Sequence, residues 1–154
     1  MPITGEVDLA GLPVGRCEDG SPWRLRLLAT HVLIAGATGS GKGSVIWSVI
    51  RALLPAIVGG WVQVWALDPK RMELSFGRAL FHRYACHATA MVELLEAAVA
   101  EMHQRAEQFG GRTRTFPLSA EFPFIVMLVD ELAFLTATSP NGTCASGPRP
   151  RSPP

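Results

Sequence analysis

The chain has 154 residues, of which 48% are hydrophobic, and this is enough apolar material for one domain with its own core. A formal net charge of +1 gives no electrostatic argument for nucleic-acid or membrane binding. The three cysteines form no C-x-x-C pattern, which argues against a disulfide framework and for a reducing compartment.

The N-terminal segment predicts neither export nor membrane insertion. It reads MPITGEVDLAGL, which is acidic and lacks the apolar core of a secretory leader. No run along the chain approaches the ~20 apolar residues that a membrane helix needs. We therefore expect a cytoplasmic chain without a membrane segment.

Residues 1–30 predict a small β-rich lead-in. Gly11 and Pro13 are turn signals, and short strands are expected around residues 14–17 and 23–28. The regular part of the chain is expected to begin at residue 31.

The stretch HVLIAGATGSGKGSVIWSVI, residues 31–50, predicts a short buried strand, a glycine-rich loop and a helix. Its loop departs from the phosphate-binding pattern G-x-x-x-x-G-K-[ST] at one position, because Gly43 stands where a hydroxyl residue is expected and Ser44 follows one place later. In such loops, glycines let backbone N–H groups surround phosphates, and the lysine and the positive end of the helix add charge. The predicted nucleotide-binding residues are Gly36, Ala37, Thr38, Gly39, Ser40, Gly41, Lys42, Gly43 and Ser44.

The missing hydroxyl leaves the magnesium ligand open between two possibilities. Ser44 reaches the metal if the helix starts one residue late, or water and an acidic residue hold the metal while the backbone and Lys42 hold the nucleotide. A glycine-rich turn without a ligand is the weaker interpretation.

The next elements alternate between helix and strand. The helix after the loop is predicted to end at Pro55, and WVQVWALD predicts a second core strand that ends at Asp68. Residues 88–109 predict the clearest helix, with Thr89 as its cap and Gly110 as its stop. Its expected apolar face contains Met91, Leu94, Leu95, Ala98, Val99, Met102 and Ala106.

The apolar run FPFIVMLVDE predicts a third core strand, buried on both faces, with a short helix ELAFLTA after it. This strand ends at Asp130 and Glu131, which suit magnesium binding and the activation of a water molecule. Alternating strands and helices predict a parallel α/β sheet, in which the glycine loop, Asp68 and Asp130 meet at the carboxyl edge. From residue 138 the proline-rich sequence predicts a disordered tail, residues 138–154.

Three segments together resemble the motor domain of FtsK/SpoIIIE-type DNA translocases, and look nearest to the plasmid-transfer versions of actinobacteria. They are HVLIAGATGSGKGSVIWSVI, ALDPKRMELSFG and FPFIVMLVDELAFLTA, and the resemblance covers roughly residues 25–137. It implies a P-loop NTPase (RecA-like) core, ATP and Mg²⁺ as cofactors, and double-stranded DNA moved by a ring, usually of six subunits. By position, residues 36–44 bind the triphosphate, Asp130 binds magnesium with Ser44 as a further candidate ligand, and Glu131 activates water. Asp68 and Lys70 match the family's D-P-K without an assigned role.

The resemblance stops after residue 137, where the family continues with further strands, a polar sensor, an arginine that acts on the neighbouring subunit and often a DNA-reading domain. We therefore expect a C-terminally truncated motor with an incomplete sheet, residues 31–137. The strand HVLIA would lack both hydrogen-bonding partners, which is costly for buried backbone.

Two hypotheses of function follow, and a third is weaker. The chain is an ATP-binding fragment of a DNA translocase motor, or it is a catalytically inactive remnant without turnover. A small P-loop kinase is disfavoured because the length leaves no lid segment for a second substrate.

Overall fold

The computed structural model describes residues 7–113 and 116–137 of the chain. Within these residues the predicted α/β class is confirmed. The strands are β1 (Leu12–Arg16), β2 (Pro22–Leu25), β3 (Val62–Leu67), β4 (Arg83–Ala85) and β5 (Phe124–Val129). The helices are α1 (Lys42–Val58), α2 (Ala88–Phe109) and α3 (Leu132–Ala137), with a 3-10 helix at Ser75–Leu80.

The strands form an antiparallel hairpin and a separate parallel sheet. β1 pairs with β2, while β3 pairs with β4 on one side and with β5 on the other, so the sheet order is β4-β3-β5. The predicted parallel sheet is confirmed, and its three strands fit the incomplete P-loop NTPase-type core that the resemblance implies.

Side chains alternate across the central strand β3 because successive residues of a strand point to opposite faces. Val62, Val64 and Ala66 join one hydrophobic cluster with α1, whereas Trp65 and Leu67 join a second cluster with α2. The sheet is therefore covered by α1 on one face and by α2 on the other.

The hairpin of the predicted lead-in belongs to the first of these clusters. Leu12 and Val14 of β1 are buried together with Ile50 and Leu53 of α1. The backbone carbonyl of Leu9 accepts two N–H groups from the segment after β2, at 2.8 and 3.0 Å. The division of the chain at residue 30 stays a prediction.

Residues 31–35 do not form the predicted buried strand. They adopt no regular secondary structure, and the side chain of Leu33 is 79% exposed. The expected lack of strand partners is thus confirmed, but the prediction that this segment is still a buried strand was wrong. A strand requires a neighbouring ladder, which no other segment of the described chain supplies here.

Two helix boundaries differ from the predictions. α1 continues past Pro55 to Val58, because the last turn is closed by bonds that do not need the missing proline N–H, including Gly59 N–H to the Pro55 carbonyl at 2.9 Å. The N-cap of α2 is His87, whose side chain makes no capping hydrogen bond to the helix, and Thr89 lies inside the helix. The predicted range of α2 is confirmed, and Gly110 caps its C-terminal end.

Burial is weaker than predicted at one edge of the sheet. The six residues of β5 are half-buried rather than buried on both faces, because β5 is the last strand in the sheet order. On α2, Met91 and Leu94 are buried, whereas Val99, Met102 and Ala106 of the predicted apolar face are exposed. Strand β4 and the 3-10 helix lie in sequence for which no element was predicted, and the predicted disordered tail lies outside the described residues.

Candidate functional site

The glycine-rich loop curls back on itself before α1. Gly39 and Gly41 have φ of +79° and +86°, a backbone conformation that glycine adopts without strain. The Ser40 N–H donates to the Ala37 carbonyl at 3.2 Å, and the Ser40 side chain lies over Gly36, where there is no room for a Cβ. Residues 36–42 therefore form a tight turn that leads into the helix.

Lys42 is the first residue of α1 and closes this turn. Its Nζ donates to the carbonyls of Gly36 at 2.6 Å and Ala37 at 2.9 Å. Because α1 begins at Lys42, the late helix start that would bring Ser44 to a metal is not observed, and Ser44 is exposed. Thr38 is also exposed, in the turn.

The two acidic strand ends lie side by side. β3 and β5 are paired in register up to Leu67 and Val129, and the Asp130 N–H donates to the Leu67 carbonyl at 2.9 Å. Asp68 and Asp130 therefore follow their strands at the same sheet edge, as predicted from the parallel arrangement. Glu131 has φ of +59°, a left-handed conformation between β5 and α3 that is uncommon for a residue with a side chain.

Asp68 anchors the loop that follows β3. Its carboxylate is fully buried, and Oδ2 accepts the Leu74 N–H at 3.1 Å and the Tyr84 hydroxyl at 3.0 Å. The other oxygen, Oδ1, is buried and has no hydrogen-bond partner within residues 7–113 and 116–137. The Asp68 carboxylate thus ties both ends of residues 68–74 to the sheet edge.

This anchored loop brings Lys70 to the acidic strand end. The Lys70 Nζ forms an ion pair with Glu131 Oε2. The hydrogen bond with Lys70 lowers the pKa of Glu131, and the same bond raises the pKa of Lys70. Lys70 therefore holds the Glu131 carboxylate in its ionised form.

The charge of Lys42 makes a smaller contribution to the low pKa of Glu131. The loop of residues 68–74 reaches both segments, since Glu73 lies against Gly43 and Lys70 pairs with Glu131. Of the predicted residues, Gly43 and Glu131 are therefore connected through this one loop.

Asp130 lies in a strongly negative environment. Burial raises its pKa, and the charges of Asp68, Glu73 and Glu131 raise it further, while Lys70 opposes them. A cation is favoured where several carboxylates are close to one another. The described residues contain no group of three or more His, Cys, Asp or Glu side chains arranged to hold a metal. Magnesium does not need such a group, since it usually takes one or two carboxylates, phosphate oxygens and water. The residues present therefore fit Mg²⁺ bound together with a nucleotide.

Sequence reasoning missed Glu73, which lies against Gly43. The available signal was its place in the run DPKRMEL, the segment most specific to the resemblance, where only Asp68 and Lys70 were singled out.

Comparisons with known proteins agree on one family. The model of the FtsK/SpoIIIE family matches residues 6–116. The chain is 33% identical over 125 residues to DNA translocase SftA of Bacillus subtilis, covering 72% of this chain and 13% of the relative. It is 33% identical over 131 residues to DNA translocase FtsK of Listeria monocytogenes, covering 72% of this chain and 17% of the relative.

A third relative, DNA translocase FtsK of Mycobacterium tuberculosis, is 31% identical over 133 residues, covering 71% of this chain and 16% of the relative. The chain thus spans less than a fifth of the length of these three curated relatives. No solved structure matches the chain. Among the described residues, no helix is both long enough and apolar enough to cross a lipid bilayer.

Proposed function

The chain belongs to the FtsK/SpoIIIE family, and on this premise we propose that it is an ATP-binding part of a motor that moves double-stranded DNA. The glycine loop, residues 36–44, holds the triphosphate, Asp130 holds Mg²⁺, and Glu131 orients and deprotonates the attacking water. Double-stranded DNA is the proposed partner because the relatives are named DNA translocases. The relation to plasmid-transfer versions stays a prediction.

One observation carries this proposal. The loop of residues 68–74 links the two halves of the site, since Glu73 lies against Gly43 at the start of α1 while Lys70 pairs with Glu131 at the acidic strand end. A phosphate-binding turn opposite an acidic strand end is the arrangement that nucleotide hydrolysis requires.

Each proposed role follows from the chemistry of the residue concerned. The first N–H groups of α1 have no partner within the helix and suit phosphate oxygens. The ammonium group of Lys42 adds a positive charge for the outer phosphates. The ionised Glu131 carboxylate accepts a proton from water. Mg²⁺, when bound, stabilises the negative charge that develops on the phosphates.

The ATP-binding proposal is tested with Lys42→Ala, compared with Arg51→Ala. Arg51 is an exposed cation on the same helix and lies outside the loop. Calorimetric titration with Mg·ATP should give a clear heat for the unsubstituted chain and for Arg51→Ala, and a loss of binding for Lys42→Ala. Equal affinity in all three proteins, or no heat with well-folded unsubstituted chain, would contradict the proposal.

A second candidate is ATP binding without turnover, and a specific observation favours it. Residues 31–35, which lead into the loop, are not held by the sheet, so the loop lacks the support that its catalytic geometry needs. Phosphate release from ATP, measured with and without duplex DNA, separates the two functions. DNA-stimulated release supports the motor, whereas binding without release supports the second candidate.

A further inference from the structure

Gly43 and Glu73 share one space in front of α1. A Cβ placed on Gly43 would collide with Glu73 Oε1 and lie only 2.8 Å from Oε2. Two groups cannot occupy this space together, because protein interiors are close-packed. Residue 43 is also the position at which the loop pattern expects a hydroxyl group. The carboxylate of Glu73 therefore lies where the side chain of a serine or threonine would begin.

The position of Glu73 is fixed by a buried anchor. The next residue, Leu74, is itself buried and donates its N–H to the Asp68 carboxylate at 3.1 Å. Asp68, which follows β3, is tied in turn to the end of β4 through its own N–H, which donates to the Ala85 carbonyl at 2.9 Å. The backbone next to Glu73 is thus held at the sheet edge.

The surroundings of Glu73 suit a divalent cation. The loop that carries Glu73 reaches the acidic strand end, since its Lys70 pairs with Glu131, the neighbour of Asp130. The charge of Glu73 is also among the causes that raise the pKa of Asp130. Asp68, which fixes this loop, is itself a buried carboxylate whose Oδ1 atom has no hydrogen-bond partner among the described residues. Because an added cation would lower the repulsion among these carboxylates, binding of Mg²⁺ is electrostatically favoured.

We propose that Glu73 supplies the oxygen ligand for Mg²⁺ that a hydroxyl at residue 43 supplies in the usual loop, and that Gly43 is needed to make room for it. This inference rests on the proposed ATP-binding function. Use of Glu73 in place of a hydroxyl at residue 43 replaces a neutral metal ligand by an anionic one. Without Mg²⁺ the Glu73 carboxylate repels the phosphates, and with Mg²⁺ it attracts the metal, so ATP binding should depend strongly on the cation.

The experiment measures ATP affinity of the full chain by calorimetry, in Mg²⁺ and in EDTA, for Glu73→Ala and for the matched control Glu93→Ala, an exposed glutamate on α2. Mg²⁺ should tighten ATP binding by the unsubstituted chain and by Glu93→Ala. In Glu73→Ala, the ratio of the ATP affinity in Mg²⁺ to that in EDTA should fall by about tenfold or more. The double variant Glu73→Ala/Gly43→Ser should recover the Mg²⁺-dependent gain in ATP affinity. Removal of the Glu73 carboxylate makes space for the serine, whose hydroxyl can then bind the metal.

A second variant keeps the carboxylate but changes its place. Gly43→Ala leaves Glu73 chemically intact and forces its flexible end to move, so it should lose the Mg²⁺ effect as Glu73→Ala does. Thermal unfolding followed by circular dichroism checks that each variant is folded. If Glu73→Ala is unfolded, Gly43→Ala provides the test in its place.

The outcomes separate this inference from the function on which it rests. Full Mg²⁺ tightening in Glu73→Ala would overturn the inference alone. The inference would also be overturned if Glu73→Ala bound ATP more tightly by the same factor with and without Mg²⁺. In that case the Glu73 carboxylate would only repel the phosphates and would not bind the metal. No ATP binding by the folded, unsubstituted chain would overturn both.

Discussion

Asp68 is a charged residue without exposed surface, and its carboxylate organises the loop beside the proposed nucleotide site. It accepts one backbone N–H and one hydroxyl, from Leu74 and Tyr84. Buried carboxylates are stabilised by such bonds, and loss of one partner leaves a costly unsatisfied group. These contacts explain physically why the chain has Asp68 and Lys70 in the segment D-P-K. Asp68 positions the loop, and Lys70 pairs with Glu131.

The Tyr84–Asp68 bond predicts an unusual titration of the tyrosine. Burial, with the hydrogen bond to Asp68 as a further cause, raises the pKa of Tyr84 to about 12 from an ordinary 10.0. Tyr84 is the only tyrosine in the chain, so the ultraviolet absorbance of tyrosinate reports on it alone. The folded chain should titrate near pH 12, and the urea-unfolded chain near 10.

The sign of the linked stability change follows from these values. Since the folded chain keeps the proton longer, the contribution of Tyr84 is complete below pH 10 and is lost as the pH rises towards 12. Tyr84→Phe should therefore cost about 1 kcal/mol near neutral pH and progressively less above pH 10. Urea unfolding at several pH values measures this difference. A cost that stays constant up to pH 12, or a folded-state midpoint near 10, would show that the bond is absent.

At the scale of elements, the segment before the glycine loop differs most from its sequence pattern. HVLIA has the composition of a core strand, yet the structure gives it no ladder, whereas VQVWAL in β3 has partners on both sides. Strand formation depends on the availability of a neighbour as well as on β-propensity.

We predict that the amides of residues 31–35 exchange with solvent much faster than those of β3 (Val62–Leu67). Amides outside a hydrogen-bonded ladder are protected only weakly, whereas those of a central strand open with the core. Hydrogen–deuterium exchange followed by mass spectrometry compares the two segments within one sample, and β3 serves as the internal control. Protection of residues 31–35 equal to that of β3 would mean that they are paired in solution.

At the scale of the molecule, a mainly apolar groove of about 510 Å³ lies between α2, the segment after β2 and residues 116–125, which include the start of β5. It is lined by Met102, Leu118, Phe124 and Ile125, among others. β5 forms one edge of the sheet, and within the described chain its outer side has no strand partner. A groove and an open edge of this kind favour association between molecules.

We therefore predict concentration-dependent self-association through this groove. Met102→Lys should reduce it, because Met102 is 58% exposed at the groove and a charge there opposes apolar contact. Val58→Lys is the control, since Val58 is 80% exposed at the end of α1 and does not line the groove. Analytical ultracentrifugation measures the mass over a range of concentrations. A monomer at every concentration, or equal effects of the two substitutions, would contradict the prediction.

Much of the fold could be predicted from the sequence because it depends on local patterns. The range of α2, the core strands β3 and β5, the short helix α3 and the alignment of Asp68 with Asp130 all follow from periodicity, glycine stops and the parallel arrangement. Strand β4 has only three residues, too few for a pattern, and it was missed.

The sequence by itself determined the family, the glycine loop and the residue types that nucleotide chemistry needs, because these are written in short contiguous runs. Only the tertiary structure decided that residues 31–35 remain outside the sheet, that Lys70 pairs with Glu131, and that Glu73 takes the space beside Gly43. The physical reason is the same in each case: whether a backbone group is paired and which side chain fills a space depend on residues distant in the chain, and the sum of such contacts is fixed only when the elements pack.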